Sequence, residues 1–281
     1  MKVALFGLGS MGYGIARSLL RAGLTTHGFD VAEDPVRRFR AEGGAEGSSA
    51  EIAGTLDAAV LVVLNAEQTR EVLFGADGIA ARLREGAVVV SCATVPPAFA
   101  REMEAACAEH GLLYLDAPIS GGAAKAEAGR LAVMASGSPE AFARARPVLD
   151  AAAETVFELG DTAGAGSAMK AVNQMLAGVH LAAMAEAMTF GLTQGITPER
   201  FMEVIPRCAG TSWMLENRGP HIVDGDYASR SSVDIWPKDL GIVLEAAARA
   251  KFGAPLTAAA LQQFLAASGS GLGREDDAAL A

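Results

Sequence analysis

Met1-Lys2-Val3-Ala4-Leu5-Phe6 runs straight into Gly7-Leu8-Gly9-Ser10-Met11-Gly12, and these twelve residues decide the fold. A short apolar run feeds a G-x-G-x-x-G turn. Behind it, Ile15, Ala16, Leu19 and Leu20 carry the spacing of a helix with one buried face. Each glycine has a physical reason. Gly7 makes the tight turn, Gly9 lets the backbone approach a pyrophosphate, and Gly12 lets the helix pack on the strand. The helix N-terminus offers unpaired N–H groups and a positive dipole end to phosphate. The candidate phosphate cradle is therefore Gly7, Leu8, Gly9, Ser10, Met11 and Gly12.

Thr25-Thr26-His27-Gly28-Phe29 reads as a second strand ending in Asp30. That acid lies about 20 residues beyond the glycines, where a carboxylate bonds a ribose 2′-OH. A carboxylate there repels a 2′-phosphate, and no arginine follows it at once; Arg37 and Arg38 come later, in a helical segment. The pattern predicts NAD rather than NADP as cofactor.

Working outward, further short strand candidates fall at 58–64, 87–91, 112–116, 131–135 and 155–159, separated by helical segments. Short strands alternating with helices imply a doubly wound, parallel sheet. After Gly160 the pattern changes. Asp161-Thr162-Ala163-Gly164-Ala165-Gly166-Ser167 is a glycine-rich hinge, followed by a long helical run over 168–194 and further helices to about residue 268. The expected architecture is a Rossmann-type α/β domain over 1–162, then an all-α substrate and oligomerisation domain over 163–281, with a long interdomain helix. The end of the chain, glycine-rich and then charged (Arg274-Glu275-Asp276-Asp277), reads as a solvated, partly mobile terminus.

Composition narrows the function classes. The net charge of −10 argues against a nucleic-acid or acidic-membrane surface. Cys92, Cys107 and Cys208 show no paired spacing and read as buried or free thiols of a cytoplasmic protein. The N-terminal apolar run is a strand rather than a signal segment. Glycines and charges interrupt the alanine-rich helices, so no membrane span is expected. No His, Cys or Asp spacing makes a metal site, and no Ser/His/Asp pattern appears.

Three segments carry further chemistry. Asp116-Ala117-Pro118-Ile119-Ser120-Gly121-Gly122 follows a strand, where ligands collect in an open parallel sheet. Its paired glycines and the Ser120 hydroxyl suit a carboxylate, and equally suit an ordinary strand-to-loop turn. Lys170 stands near the start of the long helix between apolar neighbours, with Asn173, Gln174 and Ala177 on the same face. A cation there is disfavoured by the dipole, so its pKa is expected to be lowered, which suits a general acid/base. The alternative is a lysine snorkelling at a domain edge. Lys238-Asp239 follows Pro237, a helix-starting residue, and is either a second carboxylate-binding cation or a surface ion pair.

Together these segments resemble the β-hydroxyacid dehydrogenase family, which includes 3-hydroxyisobutyrate and tartronate semialdehyde dehydrogenases. The resemblance spans nearly the whole chain and rests on four ordered motifs: Gly7 to Gly12, Asp116 to Gly122, Gly164-Ala165-Gly166 through Lys170 and Asn173, and Lys238-Asp239-Leu240-Gly241. It implies NAD-dependent oxidation of a small hydroxy acid, with Lys170 as acid/base, Asn173 orienting the substrate, and Ser120, Gly121, Gly122 and Lys238 holding its carboxylate. It implies cofactor contacts at Thr94, Asn65 and Lys238. Ala93 replaces the family's serine before Thr94, and Asn65 stands where many members carry a proline-containing loop.

Segments around Leu176 to His180, Ala209 to Met214 and His221 to Tyr227 resemble the family's L-threonate dehydrogenase branch. That branch oxidises L-threonate to 2-oxotetronate. The resemblance implies that Ser212, Asn217, Arg218 and His221 meet the substrate hydroxyls. Asn173 departs from it, since that branch often has histidine there. The alternatives within the family are a 3-hydroxyisobutyrate dehydrogenase and a tartronate semialdehyde or glyoxylate reductase. A catalytically silent interaction module is disfavoured by the retained Lys170. An NAD-sensing DNA regulator is disfavoured by the acidic charge. The family is commonly a homodimer or homotetramer.

Overall fold

The computed structural model describes all 281 residues, in two compact units, Met1–Lys170 and Ala171–Ala281. The first unit opens with β1 (Lys2–Phe6), α1 (Ser10–Arg21), β2 (Thr25–Phe29), α2 (Glu33–Ala41) and α3 (Ser49–Ile52). It continues through β3 (Ala58–Leu61), α4 (Ala66–Phe74), β4 (Val88–Ser91), α5 (Pro97–Glu109) and β5 (Leu113–Asp116). These strands pair in the order β2-β1-β3-β4-β5, all parallel.

Side-chain alternation divides each strand between two cores. Val3, Leu5, Val60, Val88, Val90 and Leu115 enter one; Ala4, Phe6, Ala59, Leu61, Val89 and Tyr114 enter the other. Because the strands all run one way, their carboxyl ends share one edge. The Gly7–Gly12 turn, Asp30, Asn65 and Thr94 all follow strands at that edge.

The strand candidates do not all join this sheet. After β5 come β6 (Ile119–Ser120), α6 (Gly122–Glu127), β7 (Leu131–Ala135), α7 (Pro139–Ala152) and β8 (Ala153–Glu158). They form a second, three-stranded sheet in which β7 is antiparallel to β6 and parallel to β8. Pro118 has no N–H to donate and ends the β5 ladder. The chain then turns, and β7 leads into a lone antiparallel bridge between Ser136 and Asp116.

The second unit is helical. α8 (Ala165–Thr193) starts in the first unit and runs into the second, followed by α9 (Pro198–Val204), α10 (Trp213–Asp224), α11 (Ile235–Arg249) and α12 (Pro255–Ala267). Leu181, Met184, Met188, Phe201, Leu215, Trp236, Leu240 and Phe264 make its core, and the Trp236 and Phe264 rings stack at 5.3 Å. Gly178 lets α8 and α11 approach closely: a Cβ there would lie 2.8 Å from Leu240 Cδ2 and 3.1 Å from the Trp236 ring.

One expectation is corrected here, and so is the ground given for another. By length and composition alone α8 is apolar enough to cross a membrane. Lys170 and Glu186 are the charged residues along it, and its three glycines barely lower its apolar character. Its buried Leu181, Ala182, Met184 and Met188 instead build the second unit's core. The acidic terminus is also not a solvated tail, because Asp276, Asp277 and Ala278 are fully buried. Arg218 Nε donates to Asp277 Oδ1 at 2.5 Å, Trp236 Nε1 donates to Asp277 Oδ2 at 3.0 Å, and His221 Nδ1 lies 2.9 Å from Asp276 Oδ1. Hydrophilicity suggested exposure; the acids are buried because basic and N–H partners meet them.

Candidate active site

The glycine turn has the geometry its spacing predicts. Gly7 has φ +97°, and a side chain on it would strike the Val62 carbonyl; one on Gly12 would strike the Gly7 carbonyl. Around Gly9 there is open space. Asp30 is oriented onto this turn: its Oδ2 accepts from Leu8 N at 2.7 Å and its Oδ1 from Ala32 N at 2.9 Å. Ser10 and Met11 start α1, whose first turn carries no acid to oppose a bound anion. Asn65 caps α4, accepting from Gln68 N at 2.9 Å, and Thr94 lies in the loop between β4 and α5. A glycine turn with open space beside its middle residue and a carboxylate held at the next strand end fits a dinucleotide.

Lys170 lies in the first unit, 8% exposed. Its Nζ donates to Ile119 O at 2.9 Å, beside Ser120. Gly121 and Gly122, both with positive φ, turn the chain from β6 into α6. Lys170 and the Ser120-Gly121-Gly122 segment are thus brought together, although 51 residues separate Lys170 from Ile119.

Asp116 holds this arrangement, a function its sequence position did not reveal. The first N–H groups of a helix have no partner within it. At the start of α8, Asp116 Oδ2 accepts from Gly164 N at 2.9 Å and Ser167 N at 2.8 Å, and Asp116 Oδ1 accepts from Ser167 Oγ at 2.7 Å. Ser136 Oγ accepts from Gly166 N at 2.9 Å. Asp116 is 1% exposed, and burial raises its pKa, opposed by the hydrogen bonds from Ser167, Gly164 and Ser136. One segment, 116–119, thereby holds both the start of α8 and the ammonium of Lys170.

The second unit contains the other candidate residues. Asn173 Nδ2 donates to Gln174 Oε1 at 2.9 Å, and Gln174 Nε2 donates to Asp239 Oδ2 at 2.5 Å. Lys238 Nζ lies 2.7 Å from Asp239 Oδ1. Asp239 is 2% exposed, so the Lys238-Asp239 dipeptide is not a surface pair.

The polar cluster on α10 also makes contacts within the protein. Ser212 caps that helix, accepting from Leu215 N at 3.1 Å. Asn217 accepts from Arg218, and Arg218 and His221 hold the buried acids of the C-terminal segment.

The comparisons with known proteins agree with this geometry. Residues 2–160 match the NAD binding domain of 6-phosphogluconate dehydrogenase, and residues 164–281 match the NAD-binding domain of NADP-dependent 3-hydroxyisobutyrate dehydrogenase. The chain belongs to the β-hydroxyacid dehydrogenase family. L-threonate dehydrogenase of Cupriavidus necator is 50% identical over 279 residues, covering 99% of this chain and 94% of that protein. L-threonate dehydrogenase of Escherichia coli K12 is 46% identical, covering 99% and 93%. A crystal structure of 3-hydroxyisobutyrate dehydrogenase from Salmonella typhimurium superposes with a TM-score of 0.95 at 49% identity, covering 100% of this chain and 98% of that one. As a member of this family the chain is a nicotinamide-dinucleotide oxidoreductase acting on a small hydroxy acid.

Proposed function

We propose that this enzyme oxidises L-threonate to 2-oxotetronate with NAD. The observation that carries the reading is Lys170, a nearly buried lysine whose ammonium is fixed on the Ile119 carbonyl beside Ser120. Identity near 50% to proteins named L-threonate dehydrogenase supports the choice of acid. Bound NAD supplies the hydride acceptor. In the oxidation direction Lys170 acts as the neutral amine: it takes the proton of the C2 hydroxyl as the C2–H bond breaks and the carbonyl forms, and ends as the ammonium; in reverse the ammonium returns that proton. Ser120, Gly121, Gly122 and Lys238 hold the carboxylate, and Asn173, one helical turn beyond Lys170, orients a hydroxyl. Asp30 favours NAD over NADP by repelling a 2′-phosphate.

In this reading residues 1–162 bind the dinucleotide and residues 163–281 serve substrate binding and association. Ser212 caps α10, Asn217 accepts from Arg218 and His221 meets Asp276, while the Ser212 hydroxyl, the Asn217 NH₂ and the far nitrogen of His221 are assigned to the remaining substrate hydroxyls. Exposed Val172, Leu176, Phe190 and Leu192 on α8 favour a homodimer or homotetramer. Free cysteines favour a cytoplasmic enzyme.

A second reading, oxidation of 3-hydroxyisobutyrate, is favoured by the name of the Salmonella protein. Steady-state kinetics separates the two. A site built for several hydroxyls should prefer L-threonate by about 10²-fold or more in kcat/KM. Equal values for the two acids would overturn the polyol reading.

A further inference from the structure

We propose that Gln174 and Asp239 are positioning residues that set the polarity of the Asn173 amide, so that Asn173 presents a carbonyl acceptor to a substrate hydroxyl. The proposal rests on the reading that Asn173 and Lys238 meet the substrate. A carboxylate only accepts hydrogen bonds, whereas an amide can present either end. Asp239 Oδ2 therefore obliges Gln174 to point Nε2 toward it, which leaves Gln174 Oε1 as an acceptor. Asn173 must meet that oxygen with Nδ2. The acceptor Oδ1 of Asn173 is then the end of the chain offered to a ligand.

The other Asp239 oxygen faces the Lys238 ammonium at 2.7 Å. One buried acid thus fixes two features: a cation suited to a carboxylate and, through Gln174, an acceptor suited to an O–H. A hydroxy acid carries both complementary groups. An acid without that hydroxyl loses the second, and a dicarboxylate would set a negative oxygen against the Asn173 carbonyl. Burial makes the polarity binding: Gln174 is 8% exposed and Asp239 2%, and a polar group that turned the wrong way there would have no water to replace its partner. The close approach of α8 and α11 at Gly178 lets Gln174 reach Asp239 across 65 residues of sequence.

The test uses full-length enzyme, with L-threonate as substrate and butanoate, which has no hydroxyl, as a competitive inhibitor. Gln174→Met removes the relay while keeping its length. It should raise KM for L-threonate about tenfold, the worth of a hydrogen bond to a fixed acceptor, with the inhibition constant for butanoate and the Kd for NAD changed less than about twofold. Gln174→Glu supplies the sharper readout. A protonated glutamic acid donates to Asp239 and accepts from Asn173 as glutamine does; an ionised one faces the Asp239 carboxylate. The groups facing it are Asp239 and Lys238 from α11 and Asn173 from its own helix. Relative to wild type measured at the same pH, the variant should bind L-threonate nearly equally at pH 6 and about tenfold worse at pH 9, a widening gap that Gln174→Met does not show. A KM for L-threonate unchanged in Gln174→Met, an equal loss of butanoate affinity, or a gap between Gln174→Glu and wild type that stays constant with pH would each overturn the proposal. Failure of the wild type to turn over L-threonate overturns the substrate assignment instead.

Discussion

Asp116→Ala tests whether the start of α8 is held by a buried acceptor. In the wild type the carboxylate takes the N–H groups of Gly164 and Ser167 and the Ser167 hydroxyl. Alanine orphans all three at a site with almost no solvent access. Each orphaned buried group costs about 1–3 kcal/mol. The hydroxyl can turn to another acceptor, and loss of a buried carboxylate relieves its desolvation, so the net destabilisation is about 3 kcal/mol. For a domain of this size that lowers Tm by roughly 6–12 °C. Asp116→Asn should behave differently. Its amide oxygen can take both N–H groups, and its NH₂ can donate to the Ser167 hydroxyl, which then turns to accept. The asparagine variant should stay within about 1 kcal/mol of wild type.

The pH dependence has a definite sign. Burial raises the Asp116 pKa in the folded state, so the native protein holds this proton where the unfolded chain has released it. The wild type therefore loses stability from this group as pH rises from the ordinary carboxylate value through the raised one. Asparagine does not titrate, so it should gain on the wild type between acid pH and neutrality. Calorimetric unfolding at several pH values, with kcat measured alongside, is the assay. An alanine variant as stable as wild type, or an asparagine variant as damaged as alanine, would refute the reasoning.

Three further outcomes are expected. Lys170→Met should lower kcat by about 10²-fold or more while the Kd for NAD, measured by titration calorimetry, stays near wild type; near-normal turnover would remove Lys170 from the acid/base role. Arg218→Met should destabilise the chain by about 3 kcal/mol, because it leaves the buried Asp277 carboxylate without its cation, and replacing Asp277 by Asn in the same chain should recover part of that; a change confined to KM would return Arg218 to the substrate. Burial pushes the Cys92 and Cys107 thiols up to about 12, whereas Cys208 is exposed, so a thiol reagent should titrate one cysteine in the native enzyme and three after denaturation.

The parts of this fold legible in the sequence are those where one backbone demand fixes one residue type. Gly7 and Gly12 are such positions, because any side chain there meets a carbonyl. The strands were legible as short apolar runs, and α8 as a long stretch without a breaker. The parts not legible depend on partners distant in sequence. Nothing local to Asp276 and Asp277 says that Arg218, His221 and Trp236 will meet them, so hydrophilicity alone misplaces the terminus. The second sheet was hidden because a short strand-forming run does not say which sheet it joins: β7 is apolar and buried like an inner strand, β8 carries Glu154 and Glu158 and is largely exposed, and both follow the chain's turn after β5. Asp116, Gln174 and Asp239 were visible as letters within or beside motifs. Their work appears only once residues 116 and 167, or 174 and 239, are seen to touch.

The buried face of α8 explains why these acids stand where they do. Ser167, Lys170 and Gln174 recur at helical spacing and continue as Gly178, Leu181, Ala185 and Met188, all buried. The same stripe is polar at the proposed site and apolar where the core lies. A polar stripe gains little from the hydrophobic effect and must be fixed by directed bonds. Hydroxyls and amides alone would leave those bonds reversible, since each can donate or accept. An acid at each end removes that freedom. Ionised, Asp116 can only accept, so Ser167 and the first N–H groups of α8 must donate to it. Asp239 can only accept, so Gln174 and then Asn173 must point their NH₂ groups along the chain. Lys170 lies between these two anchored turns, with its own ammonium on a main-chain carbonyl that cannot reverse either. On this reading the position of the catalytic lysine and the polarity of its neighbour are set by groups that never touch the substrate, and a neutral replacement at either acid should blur orientation before it costs the fold.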